Sequence, residues 1–106
     1  MDRIAIIGAS MTQFGIREDS WICDLLSEAA IDCIESAGIT SKDIDQVYVS
    51  NMASGEFEGQ TGIMNALVHD IGAIPAYTAR IDQTSASGGA GIYAAWQSIA
   101  SGQSDM

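Results

Sequence analysis

The sequence is short of positive charge. Four Lys and Arg residues stand against fourteen Asp and Glu in 106 residues, a formal net charge of −10 at neutral pH. Such a chain repels a phosphate backbone, which excludes nucleic acid as a partner class. Histidine occurs once and cysteine twice. His69, Cys23 and Cys33 lie too far apart in the chain to suggest a ligand set, so no metal site is expected. The two cysteines fall within one predicted helix. Ten helical residues rise about 15 Å, well beyond disulfide reach. Two free thiols fit a reducing compartment, and the cytoplasm is the expected location. No apolar run approaches the length of a membrane span, and the apolar stretch in "MDRIAIIGAS" is too short for a signal peptide, so no membrane partner is expected. There is no internal repeat, linker or low-complexity tract.

What is present is a packed, alternating chain. Apolar residues make up 47% of it, enough for a globular core. "RIAIIG" (3–8) reads as a buried strand and "ASMTQFGIRED" (9–19) as a loop. From Ser20, a plausible N-cap, Ile22, Leu25, Leu26, Ala29, Cys33 and Ala37 recur at helical spacing, and Gly38 supplies the stop. "QVYVSNM" (46–52) reads as a second strand and "ASGEFEGQ" (53–60) as a Gly-rich acidic loop. A helix follows from Thr61 to about Ile71, closed by Gly72. "AYTARI" (76–81) is the third strand, and the last helix runs from Ser87 to Ala100, stopped by Gly102. The expected class is therefore α/β, with a three-stranded, mostly parallel sheet and helical crossovers.

The last helix stands apart. "GGAGIYAAW" is small or apolar on nearly every face, so it should be buried on all sides, although 106 residues cannot surround it. Its glycines cost about 1 kcal/mol each relative to alanine, which points to a backbone or ligand approaching closely. The alternation also asks for another strand after "SGQSDM", so the sequence reads as cut short: a single, incomplete domain over 1–106.

Three readings compete for the small-residue turn "SASGG" (85–89) between the third strand and the last helix. Neither "GASMTQFG" nor "SGGAGIY" fits a phosphate-binding loop, since one lacks the glycine spacing and the other the lysine. A serine-hydrolase elbow would use Ser87 and departs from G-x-S-x-G only at Ser85. However, His69 precedes that serine, whereas the hydrolase order places the histidine last.

The third reading is a resemblance. "IAIIGASMTQFG", "VYVSNMASGEFEGQTG" and "IPAYTARIDQTSASGGAGIYAAWQSIASGQSD" together resemble, in order and spacing, the N-terminal portion of the thiolase family. The likeness is to its archaeal and sterol-carrier-protein-linked acetyl-CoA acetyltransferase-like branch. It implies acyl transfer between coenzyme A thioesters, of the Claisen condensation and thiolysis type, with no bound cofactor. It also implies homodimers paired through residues 76–82. In that family the turn reads C-A-S-G-G, and its cysteine accepts the acyl group. Here Ser85 stands at that position, with its own N–H as part of an oxyanion hole. Gly88 and Gly89 follow as small residues for substrate binding and close packing. The family's catalytic histidine, second cysteine and Asn-containing loop lie in a C-terminal half not represented here. The 106 residues alone are thus expected to be inactive.

A cysteine suits this chemistry because a helix N-terminus stabilises its thiolate and thioester exchange is nearly isoenergetic. A serine hydroxyl needs an adjacent base, and its oxyester does not return easily to a thiol. The Cys-to-Ser departure therefore also favours a non-catalytic, scaffolding thiolase-like subunit. The remaining residues have ordinary readings. His69 is a surface or capping residue, Trp21 and Trp96 are packing, Met52 and Met64 fill gaps, and Glu56 and Glu58 form no acid–base pair.

Overall fold

Parallel strands cannot be joined by a tight turn, so a sheet built from 46–52 and 76–81 needs helix between them. The computed structural model, which describes residues 3–106, supplies it. In chain order the elements are α1 (Ile22–Ala37), β1 (Gln46–Ser50), α2 (Ser54–Glu58), α3 (Ile63–Asp70), β2 (Tyr77–Ile81) and α4 (Ser87–Ala100). Short 3₁₀ turns at Ser41–Asp43 and Thr84–Ala86 precede β1 and α4. β1 and β2 pair in parallel, from Gln46 opposite Tyr77 to Ser50 opposite Ile81.

Strand alternation sorts β1 into two faces. Val47 and Val49 point to a core built on Ile63 and Leu67 of α3, and Ile22, Cys23, Leu26 and Ala30 of α1 pack against it. The other face carries Gln46 and Ser50 toward α4. There Ser98 hydrogen-bonds Gln46, and a Cβ built on Gly91 would collide with the Ser50 hydroxyl. The sheet is thus sandwiched between α1 with α3 on one side and α4 on the other. This close approach gives Gly91 a steric reason.

Helix ends follow local chemistry. Gly38 adopts φ 69°, and its N–H reaches the Glu35 carbonyl while Ile39 reaches Ile34, closing α1 as expected. The start of α1 differs from expectation. Trp21, not Ser20, occupies the cap position. Its N–H donates to the Asp24 carboxylate at 2.8 Å, and the next one, of Ile22, donates to Glu58 at 2.8 Å. Two carboxylates thus replace a serine hydroxyl at the positive end of the helix dipole.

Two other expectations need correction. Residues 53–60 are not all loop, because 54–58 form α2. The Asn51 side chain accepts the N–H groups of Ala53 and Ser54, at 3.0 and 2.7 Å, and so nucleates that turn. Residues 3–8 form no strand, and the sheet is two-stranded among the described residues rather than three-stranded. Gly8 instead lies against the end of α1, where an added Cβ would sit 2.9 Å from the Ala37 methyl and the Cys33 carbonyl. An apolar cavity of about 380 Å³, lined by Ile6, Ile7, Val47, Tyr48 and Ile71 among others, stands between this segment and β1. Among the described residues, the free edge of β1 is engaged at one end only, where the Met106 carbonyl accepts the N–H groups of Asp45 and Gln46. As expected of a chain too short to surround it, α4 is covered on one face. Ser87, Gly91 and Ser98 are buried, while Ile92, Tyr93 and Trp96 are exposed.

Candidate functional site

In a parallel sheet, ligands gather outside the carboxyl ends of the strands, where the loops are free to vary. Here that edge holds the loop after β1 and the turn after β2. The loop after β1 is tied to β2 by Arg80, whose guanidinium donates to the Asn51 carbonyl at 2.9 Å. Arg80 is therefore a cation held beside the loop after β1, a feature that sequence periodicity does not single out.

The turn is built around one strained residue. Thr84 has φ +49°, left-handed backbone that a β-branched residue rarely adopts. Its N–H donates to the Asp82 carboxylate at 3.0 Å, and its carbonyl accepts the Ser87 hydroxyl at 2.7 Å. The Ser87 oxygen in turn accepts the Gln83 N–H at 2.9 Å. Asp82 and Thr84 escape sequence reasoning, which singles out Ser87 only as a hydrolase nucleophile. The available signal was the Asp two residues ahead of Thr84, the spacing of an Asx turn.

Ser85 follows directly on the strained residue. It is exposed, and among the described residues its hydroxyl has no hydrogen-bond partner. Ser87 is the opposite case, buried with both its proton and an acceptor lone pair committed to the turn. That commitment weakens the hydrolase alternative. His69, in the last turn of α3, is exposed and sits 3.3 Å from Asp70, the surface position expected for it. Gly88 and Gly89 depart from the close packing expected of them. A Cβ at either would meet nothing within 4 Å. The tight contact falls one turn later, at Gly91, where α4 passes over Ser50 of β1.

The cysteines sit apart from the turn, on α1. Burial pushes the Cys23 thiol above its ordinary range, and the negative charges of Asp70, Glu58 and Asp24 push it further the same way. A thiol held protonated is a weak nucleophile. Among the described residues, no three His, Cys, Asp or Glu side chains cluster as a metal site, and no helix is long and apolar enough to cross a membrane.

Comparison with known proteins agrees with this geometry. The family model described as "Thiolase, N-terminal domain" matches residues 4–106. An acetyl-CoA acetyltransferase of Methanocaldococcus jannaschii is 38% identical over the whole of this chain, which covers 27% of that protein. A second acetyl-CoA acetyltransferase, of Methanothermobacter thermautotrophicus, is 35% identical, again over the whole chain and 28% of its own length. The chain thus spans about a quarter of the length of these curated relatives. Matched from residue 4 to residue 106 by the thiolase N-terminal domain, the chain belongs to the thiolase family.

Proposed function

We propose that these residues form the acyl-acceptor part of a thiolase-type acyltransferase acting on coenzyme A thioesters, with Ser85 at the acceptor position. The observation that carries this reading is the exposed Ser85 on a braced bend at the start of α4, within a match to the thiolase N-terminal domain. The relatives' names supply the acyl group and its carrier, acetyl and coenzyme A. In the step itself the residue-85 oxygen or sulfur bonds to the acyl carbon, the carbon–sulfur bond to coenzyme A breaks, and the thiol of coenzyme A leaves with the proton. No resident cofactor is needed for this exchange. The open space over Gly88 and Gly89 leaves room for the acyl group beside the acceptor. We place the protein in the cytoplasm and pair two copies through residues 76–82.

A hydroxyl without a base is a poor acceptor, so turnover by the 106 residues alone is not expected. The same observation favours a second reading, a non-catalytic thiolase-like subunit that keeps the fold and not the chemistry. Incubation with acetyl-CoA followed by peptide mapping separates the two. On the acyltransferase reading the Ser85→Cys variant becomes acetylated at position 85, and the unaltered chain does so far more slowly or not at all. A variant that stays unmodified while still folded would remove the acceptor assignment and leave the scaffold.

A further inference from the structure

We propose that Asp82 and Ser87 are positioning residues that clamp Thr84 in its left-handed conformation and so hold residue 85 outward on the bend. The assignment rests on residue 85 being the acyl-acceptor position. The two polar groups of Thr84 are seized from opposite sides, the N–H by Asp82 and the carbonyl by Ser87. Ser87 also fixes the preceding peptide through the Gln83 N–H. Left-handed backbone at a β-branched residue is disfavoured and persists only when its surroundings over-determine it. The core does not impose it, since Thr84 and Ser85 are both exposed. Beside the Ser87 N–H, which also reaches the Thr84 carbonyl, what over-determines it is these two side chains, one just past β2 and one in the first turn of α4. Their common effect is to turn the chain sharply between strand and helix. Residue 85 then stands at the apex, ahead of the first turn of α4, the positive end of the helix dipole.

The test uses the full 106-residue chain carrying Ser85→Cys. The probe is iodoacetamide, applied from about pH 6 to pH 10, a range that brackets the ordinary thiol pKa of about 8.5. Cys23 and Cys33 serve as references in the same sample. With the clamp intact, the introduced thiol alkylates fastest and with a midpoint below the ordinary thiol value. Adding Ser87→Ala or Asp82→Ala moves that midpoint up, and the rate at neutral pH falls by up to about tenfold, the change in thiolate fraction for about one pKa unit. Ser87→Thr, which keeps the hydroxyl, restores the profile. In a Thr84→Gly background the left-handed backbone costs little, so adding Ser87→Ala leaves the profile where Thr84→Gly alone puts it. Should Ser87→Ala not fold, Asp82→Ala at its exposed position decides. An unchanged midpoint in the clamp variants overturns the proposal. So does faster alkylation of all three thiols together, which would mean general loosening. Failure of acetyl-CoA to modify position 85 leaves these profiles untouched, so the two assignments fail separately.

Discussion

Thr84 carries a cost that its neighbours offset, and removing the cost should be visible directly. Glycine at a left-handed position loses the steric penalty of a side chain, worth about 1–2 kcal/mol, against a smaller entropic cost in the unfolded chain. Thr84→Gly is therefore expected to leave the chain as stable or up to about 1 kcal/mol more stable, measured by urea unfolding. A loss of stability would mean that the threonine methyl packs usefully. Cys23 makes a second residue-scale case. Its thiol is pushed up by burial and by Asp70, Glu58 and Asp24, so the folded state binds its proton more tightly than the unfolded one. Its contribution is fully present below the unfolded thiol pKa of about 8.5 and is lost as pH rises toward the folded value. The unfolding midpoint should fall with increasing alkalinity, and Cys23→Ala should flatten that slope; equal slopes in the two proteins would refute the assignment.

The glycines of α4 divide by what they face. Gly91 lies under Ser50, where a methyl collides, whereas Gly88 and Gly89 open onto empty space. Gly91→Ala should therefore destabilise by about 1–3 kcal/mol through overpacking, despite the helix propensity it adds. Gly89→Ala should instead gain up to about 1 kcal/mol for the same propensity reason. Thermal unfolding of both variants checks the contrast, and a common sign would show that Gly91 is not a packing glycine. Gly88 and Gly89 thus weaken the helix without a packing reason in this chain. The sequence pattern makes α1, α3, α4 and both paired strands legible, most by their period and bounding residues and α4 by an unbroken run of small and apolar residues stopped at Gly102. The same pattern hides α2, since "ASGEFEGQ" has no apolar stripe and its helix depends on Asn51, a residue outside the segment. It also misplaces the α1 cap, because Glu58 reaches Ile22 from 36 residues away and no local rule registers such a partner.

At the scale of the whole molecule, the strand at 3–8 is the expectation that failed to form, and the cause is a matter of partners rather than propensity. Its residues are β-branched and apolar, yet Gly8 settles on α1 and a cavity takes the place of the ladder beside β1. Period alone identifies a strand-former; whether it pairs depends on what fills the gap. The turn itself is legible from its small residues, but its brace is not, since side-chain hydrogen bonds to strained backbone leave little mark on composition. The outer edge of β2 is unpaired among the described residues, and exposed strand edges associate. The chain is accordingly expected to sediment as more than a monomer at high micromolar concentration. With a net charge of −10, association should strengthen as salt screens the repulsion between copies. A monodisperse monomer at both low and high salt would argue against pairing through residues 76–82.

The tie between Asp45 and the residues at 105 and 106 bears on the order of events in time. The Asp45 carboxylate accepts the N–H groups of Asp105 and Met106, at 2.9 and 3.2 Å, across some 60 residues of chain. Closing so long a loop carries a large entropic cost that little else offsets until β1, β2 and α4 have assembled. The tie should therefore be the last contact made and the first released. The amides of Asp105 and Met106 would then exchange with deuterium well before those of β1, marking a clock hand at the end of the sheet opposite the Ser85 turn.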